Sequence, residues 1–259
     1  MKPSCIRYGI ACFHRPECKT LHTLTSMGAK SDRILIATNC HDDYEEYSRL
    51  YGSKFNVIYR EKKNVAGNRN NIIEELGTPC VILDDDIMEF GKYDRHVTKW
   101  GRFEKIADIR LLDSLMCECF SMAKKQNAAL FGVAASDHTK TAADHFDGME
   151  RYSLNGNFQG GFCGYLQNDL RHDESYDVLD DYELNLRILA NGGNILRRND
   201  LYARKGKMAG NAGGCKDLYD SGAQERCMKQ LSKQWGPLFN VIGNASGIRI
   251  TCAKVRGVR

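Results

Sequence analysis

The stretch Cys80-Val81-Ile82-Leu83-Asp84-Asp85-Asp86-Ile87 runs four apolar residues straight into three carboxylates. A short run of this kind, with β-branched residues in it, reads as a strand buried on both faces. Its carboxylates then fall at the C-terminal edge of an open α/β sheet, where such sheets hold their ligands. In an extended segment Asp84 and Asp86 share a face and Asp85 points away. Three adjacent negative charges at the end of a buried strand repel one another. A divalent cation, Mn2+ or Mg2+, resolves that repulsion through oxygen ligands and seats a phosphate-bearing substrate. The competing reading is a solvated acidic turn. The apolar run and the basic, Asn-rich segment before it favour the metal site.

Upstream of this stretch, apolar runs alternate with helical stripes. Strands are expected over Ile6–Phe13, Arg33–Thr38 and Phe55–Tyr59. Helices are expected over Thr20–Met27, with Leu21, Leu24 and Met27 on one stripe, over Asp42–Tyr51, and from Ala66-Gly67-Asn68 through Leu76. The alternation predicts an α/β fold whose mostly parallel central sheet carries helices on both faces. This front half lacks a Gly-x-Gly-x-x-Gly turn, which disfavours a nicotinamide-binding reading.

Downstream, Phe90–Lys105 reads as a polar, aromatic connection, Ile109–Lys125 as a long helix and Ala128–Ala134 as a strand. A loop follows over Thr139–Arg151, with His138 at its edge and His145 within it. Gly156–Leu166 is a glycine-rich, aromatic turn and strand. A helix over Tyr182–Ala190 is introduced by Asp180-Asp181, and Asn194–Arg197 is a short strand. A Gly/Lys/Asn-rich loop over Lys205–Cys215, a helix over Gln224–Gln234 and a strand over Ile248–Lys254 complete the chain. The expectation is one domain over residues 1–259, with a nucleotide-binding half (1–90) and an acceptor-binding half (91–259).

At 259 residues the chain is long enough to bury a sizeable core. No apolar run approaches the length of a membrane span, and the N-terminus has no signal-peptide hydrophobic region, so a cytoplasmic protein is expected (the host cytoplasm if viral). The 11 cysteines are an odd number without a repeated CxxC spacing. They read as buried thiols rather than a disulfide framework or a zinc site. The net charge of +4 is mild but uneven: Arg197, Arg198, Arg204, Lys205, Lys207, Arg249, Lys254, Arg256 and Arg259 crowd the C-terminal third. Such a segment suits a phosphate-rich partner or a nucleotide leaving group, or is simply a solvated surface.

Taken together, the half-sheet ending in carboxylates, the later Gly160-Gly161-Phe162 and the acidic pair Asp180-Asp181 resemble the GT-A glycosyltransferases. The combination Gly67-Asn68-Arg69-Asn70-Asn71-Ile72-Ile73, Leu83-Asp84-Asp85-Asp86-Ile87 and Gly213-Gly214-Cys215 is similar to the TET/JBP-associated glycosyltransferases. These include phage and kinetoplastid enzymes that glycosylate hydroxymethylpyrimidines in DNA. The resemblance implies a GT-A fold and a metal held by Asp84 and Asp86. It implies a nucleotide-sugar, UDP-glucose or UDP-N-acetylglucosamine, bound by Phe13, His14, Arg15, Arg69, Asn70, Asp84, Asp85, Gly161, Lys205 and Lys207. Gly160, Phe162 and Asp180 would face the acceptor. Asp181 would be the catalytic base of an inverting hexosyltransferase.

Each residue has a plainer reading: Asp181 or Asn68 as a helix cap, His14 and Arg15 as a surface turn, Lys205 and Lys207 as a basic loop. With 5-hydroxymethylcytosine or 5-hydroxymethyluracil in DNA as acceptor, the basic C-terminal residues would hold phosphates. Trp100, Phe158, Phe162 or Tyr165 would stack on a base. A protein, glycan or small-molecule acceptor keeps the same fold. A metal-dependent nucleotidyltransferase is a further alternative, one that releases pyrophosphate and has no need of Asp181. A non-catalytic nucleic-acid-binding module is the last. No oligomeric state follows from the sequence.

Overall fold

The computed structural model describes residues 2–15, 17–62, 64–94, 102–134, 151–155, 158, 160–205, 214–236, 239–244 and 247–252. The front half alternates as expected: β1 (Tyr8–Ala11), α1 (Lys19–Ser26), β2 (Ile34–Thr38), α2 (His41–Tyr51), β3 (Asn56–Tyr59), α3 (Val65–Leu76) and β4 (Cys80–Asp84). Then come β5 (Ile87–Asp94), β6 (Arg102–Lys105), α4 (Ile109–Lys125), β7 (Ala128–Ala134), β8 (Tyr152–Leu154), β9 (Phe162–Tyr165), α5 (Asp180–Ala190) and β10 (Asn194–Lys205). Two helices, α6 (Lys216–Asp220) and α7 (Ala223–Trp235), and a separate hairpin, β11 (Phe239–Asn244) with β12 (Gly247–Cys252), follow.

Ten strands form one sheet in the order β3-β2-β1-β4-β9-β7-β10-β5-β6, with β8 paired to β10. Strands β3, β2, β1 and β4 are mutually parallel, as are β7 and β10. Strands β9, β5 and β8 run against them, and the other seven share one sense. The sheet therefore crosses the boundary between the two expected halves at the β4–β9 pair.

Side-chain alternation along the strands builds two cores. Tyr8, Ile10, Ile34, Ile36, Val81 and Leu83 face one side, covered by α1, α4 and Tyr47 of α2. Leu35, Ala37, Cys80 and Ile82 face the other, covered by Ile72 and Ile73 of α3 and Leu184, Ile188 and Leu189 of α5. Helices thus lie on both faces. A smaller cluster of Tyr176, Val178, Leu186, Ala223, Cys227 and Leu231 docks α7 against α5. Among the described residues, no helix is long and apolar enough to cross a membrane.

The structure departs from the sequence reading in three places that matter. The expected connection over Phe90–Lys105 is the antiparallel pair β5–β6, joined in register from Gly91↔Lys105 to Asp94↔Arg102. The expected short strand at Asn194 continues for 12 residues to Lys205. Its Arg198, only 1% exposed, is satisfied by Asp200, Glu118 and the carbonyl of Leu115, so the charge that seemed to end the strand is buried within it. The third difference is at the carboxylates. Strand β4 stops at Asp84, and Asp85 and Asp86 form the turn into β5. The shared-face argument for Asp84 and Asp86 therefore does not apply, because the chain is no longer extended there. Of the cysteines, Cys12, Cys80 and Cys163 are buried thiols as expected, whereas Cys5 is exposed. The expected loop at 139–151 lies outside the described residues but for Arg151, as do His138 and His145.

Candidate active site

Strand β1 has β2 on one side and β4 on the other, so the chain departs from it in opposite directions. A crevice opens at the C-terminal ends of strands flanking such a switch point. The residues after β1 (Phe13, His14, Arg15) and after β4 (Asp85, Asp86) line it. Arg69 of α3, Gly160 and Gly161 before β9, Asp180 and Asp181 opening α5, and Lys205 ending β10 converge on it.

Arg69 is the hub. Its side chain is only 7% exposed; Nη2 donates to Asp84 Oδ1 at 2.9 Å and Nη1 to Asp180 Oδ2 at 2.6 Å. Lys205 Nζ donates to the other Asp84 oxygen at 2.5 Å. Burial opposes the Asp84 charge, but Lys205 and Arg69 outweigh it and hold the carboxyl well below its ordinary range. Asp180 is depressed in the same way, burial being overcome by Arg69 and by His172, whose Nδ1 lies 2.6 Å away. Tyr165 Oη sits 2.7 Å from the other His172 nitrogen. The sequence reading named Asp84, Arg69, Asp180 and Tyr165 separately, in other roles, but gave His172 none and did not join them into this chain.

The remaining acids behave differently. Burial pushes Asp85 up to about 8, against the pull of Arg15, whose Nε lies 2.7 Å from it. Asp85 Oδ2 also accepts from the Phe13 N–H at 3.2 Å. Burial and then the Asp84 charge raise Asp86, against Lys205 and Arg15; Arg15 Nη2 reaches Asp86 Oδ2 at 3.3 Å. Asp181 is raised by burial and by the neighbouring Asp180 carboxylate. Its Oδ2 accepts from the Gly160 N–H at 2.6 Å and its Oδ1 from the Tyr182 N–H at 2.9 Å.

These groups fit a divalent cation in one specific way. Among the described residues Asp86 Oδ1 is buried with no hydrogen-bond partner, which is costly unless something positive meets it. Both oxygens of Asp84 are already engaged by cationic side chains. Asp86 would therefore be the ligand to offer an open oxygen, and Asp84 would have to give up one of its cationic partners to join it. Among the described residues no third His, Cys or acid clusters with this pair, which leaves room for substrate oxygens.

Other expected contacts are corrected. Phe13 and Phe162 are buried core rings, Phe162 edge-on to Phe90 at 5.2 Å, so Phe13 acts through its backbone and Phe162 does not face an acceptor. Asn70 is buried and bonds the backbone of His172 and the carboxylate of Glu174, holding that loop rather than a nucleotide. Asp180 is consumed by Arg69 and His172 and does not meet an acceptor. Asp85 is held by Phe13 and Arg15, as an anchor beneath the site. The cap of α3 is Asn64, whose side chain accepts from Gly67, while Asn68 donates to the Cys12 carbonyl. Neither acid of the Asp180-Asp181 pair is the N-cap of α5, a place taken by Leu179 at φ 66°. His14 is half exposed and paired with Asp43. Lys207 lies outside the described residues.

The expected surface for DNA is likewise rearranged. Arg198 is buried in ion pairs, Arg204 pairs with Glu89 and Lys205 with Asp84. Phe158 and Tyr165 are core residues. Trp100 and the side chains from 237 onward lie outside the described set.

Both glycines sit at close approaches, a methyl at Gly160 coming 2.7 Å from Asp181 Cβ. A methyl at Gly161 would come 1.8 Å from Lys205 Nζ and 2.5 Å from Asp84 Oδ2. The nearest obstacle is the tip of a flexible side chain, so the fold accommodates it and the Lys205–Asp84 pair gives way. Gly161→Ala is expected to keep its melting temperature within a few degrees and to lose about a hundredfold in kcat, the cost of a misplaced charge. Calorimetry alongside steady-state kinetics checks this.

No family model and no curated protein matches the chain. Among solved structures it is similar to CMP:2-keto-3-deoxy-manno-octonic acid synthetase complexed with CTP, at 10% identity and a TM-score of 0.46, over 87% of this chain and 99% of that one. The likeness is one of fold, a central sheet flanked by helices. The expected hexosyltransferase finds no support here: the named structure is a synthetase complexed with CTP, and no family model or curated protein points to glycosyl transfer.

Proposed function

We propose that the chain is a metal-dependent transferase acting on a nucleoside triphosphate, which joins the nucleotide to a hydroxyl-bearing acceptor and releases pyrophosphate. The observation that carries the reading is the span of Arg69. One guanidinium touches Asp84 on the metal side and Asp180 beside the base, so the two carboxylate groups lie a guanidinium's width apart. A hydroxyl primed by Asp181 then sits next to the phosphate held at Asp86, which suits attack at phosphorus. This gives Asp181 a part in nucleotidyl transfer that the sequence reading did not assign to it.

In this mechanism Asp181 accepts the hydroxyl proton, the oxygen bonds to the α-phosphorus, and the bond to the β-phosphate oxygen breaks. Asp86, with Asp84, would hold Mg2+ or Mn2+, which supplies Lewis-acid neutralisation of the phosphate charge. Arg15 lies beside Asp86 and Lys205 beside Asp84, and Lys205 exchanges Asp84 for phosphate oxygen as substrate enters.

The test is a panel of nucleoside triphosphates with Mg2+ and hydroxyl-bearing acceptors, followed for pyrophosphate. Acceptor-dependent pyrophosphate release is expected. Release of a nucleoside diphosphate from a sugar-linked donor, with none of the triphosphates consumed, would overturn the reading. The pH profile gives a second check. A base must be deprotonated to work, and the Asp181 pKa is raised, so kcat is expected to fall with decreasing pH at a value above the usual carboxylate range of about 4. In Asp181→Asn this acid limb should vanish from whatever activity remains.

A further inference from the structure

A second constellation adjoins the site and shares with it the loop after β1. His14 in the loop after β1, Cys40 at the N-cap of α2 and Asp43 in its first turn bring their ligand atoms within 4.8 Å of one another. His14 Nδ1 is 3.3 Å from Asp43 Oδ2 and 3.7 Å from Cys40 Sγ. A tetrahedral zinc ion with Zn–N near 2.0 Å, Zn–O near 2.1 Å and Zn–S near 2.3 Å has N···O edges of about 3.3 Å and N···S edges of about 3.6 Å. The N···O and N···S edges already match such an ion, with one corner left open.

From this geometry we infer a binding site for a borderline divalent cation of the zinc class, made by His14 Nδ1, Cys40 Sγ and Asp43 Oδ2. The donor set of imidazole, thiolate and carboxylate selects Zn2+ over Mg2+ or Ca2+, which favour all-oxygen sites. The site is held ready by bonds that leave lone pairs free. The His14 N–H donates to Asp43 Oδ2 at 2.8 Å, and the Asp43 N–H to Cys40 Sγ at 3.4 Å. His14 is 51% exposed at its side chain, so the ion has a route in from solvent. On binding, the sulfur–metal bond forms as the thiol proton leaves to water. The consequence is positional. The ion clips the β1 loop to α2 and so fixes the backbone that carries Arg15, the partner of Asp85 and Asp86. The site does not rest on the transferase reading, and it departs from the sequence expectation that the cysteines form no zinc site: it uses a single thiol with an imidazole and a carboxylate.

The experiment is titration of the intact chain with Zn2+ by calorimetry and with Cd2+ by thiolate-to-metal absorption, both in saturating Mg2+ so that the carboxylates after β4 are occupied. Cys40→Ser keeps a helix-capping oxygen, and Asp43→Asn keeps an acceptor for the His14 N–H, so both variants are expected to fold. The wild-type chain should take up one more equivalent of Zn2+ than either variant, and Cys40→Ser should lose one equivalent of Cd2+ absorption. Equal stoichiometry and equal absorption in wild type and Cys40→Ser would place the ion on other thiols, such as the exposed Cys5, and overturn the assignment.

Discussion

Asp86→Ala is expected to lower kcat/KM by about a thousandfold while the protein remains folded. A metal at a phosphoryl site supplies several kcal/mol of transition-state charge stabilisation, and about 4 kcal/mol corresponds to three factors of ten. Asp86 is the carboxylate with an open buried oxygen, whereas both oxygens of Asp84 are committed to Arg69 and Lys205. The loss should therefore exceed that of Asp84→Ala in metal affinity, and added metal should not restore it. Stability moves the other way. Burial and the Asp84 charge raise the Asp86 pKa, so the folded protein holds that charge at a cost. Its removal should leave the denaturation midpoint unchanged or higher. Activity within tenfold of wild type, or an unfolded product, would contradict this account of the site.

Arg69→Ala should be the most destabilising single change in the crevice, by about 3–5 kcal/mol at neutral pH, because it strands two buried carboxylates. Asp84 keeps Lys205 and Asp180 keeps His172, but each loses the charge that they share. The sign with pH follows from the depressed pKa values of Asp84 and Asp180. A carboxyl depressed on folding contributes stability above its unfolded value of about 3.9, and that contribution is lost as the pH falls through the folded value. The gap between wild type and Arg69→Ala is therefore widest near neutrality and narrows below about pH 4. Adding Asp180→Asn to Arg69→Ala should recover part of the loss. Urea denaturation at several pH values measures all of this. A gap that stays constant with pH would mean that Arg69 contributes packing rather than charge.

The front half was legible because its information is local. Each strand there is a short apolar run and each helix a stripe, and the pairs β1–β2 and β2–β3 join consecutive β-α units. The carboxylates at the end of β4 were legible for the same reason, since four apolar residues before three acids say where a buried strand meets the surface. In the back half the pattern failed. Strand β10 carries two arginines in mid-strand, and what makes Arg198 a core residue is Asp200 beside it and Glu118 on α4. Strand β5 is held between β10 and β6, which no single-segment pattern records.

What the sequence determined by itself was the alternation of elements, the burial of the central strands and the presence of acids at a sheet edge. Those follow from side-chain periodicity and hydrophobicity, which act within a few residues. The tertiary structure alone decided which acid has an open oxygen and which is spent on Arg69. It also made Phe13 and Phe162 core rings rather than contact residues, and brought His14 to Cys40 and Asp43. The physical reason is that a carboxylate's state depends on the charges and burial around it within several ångströms, and those neighbours come from segments far apart in the chain.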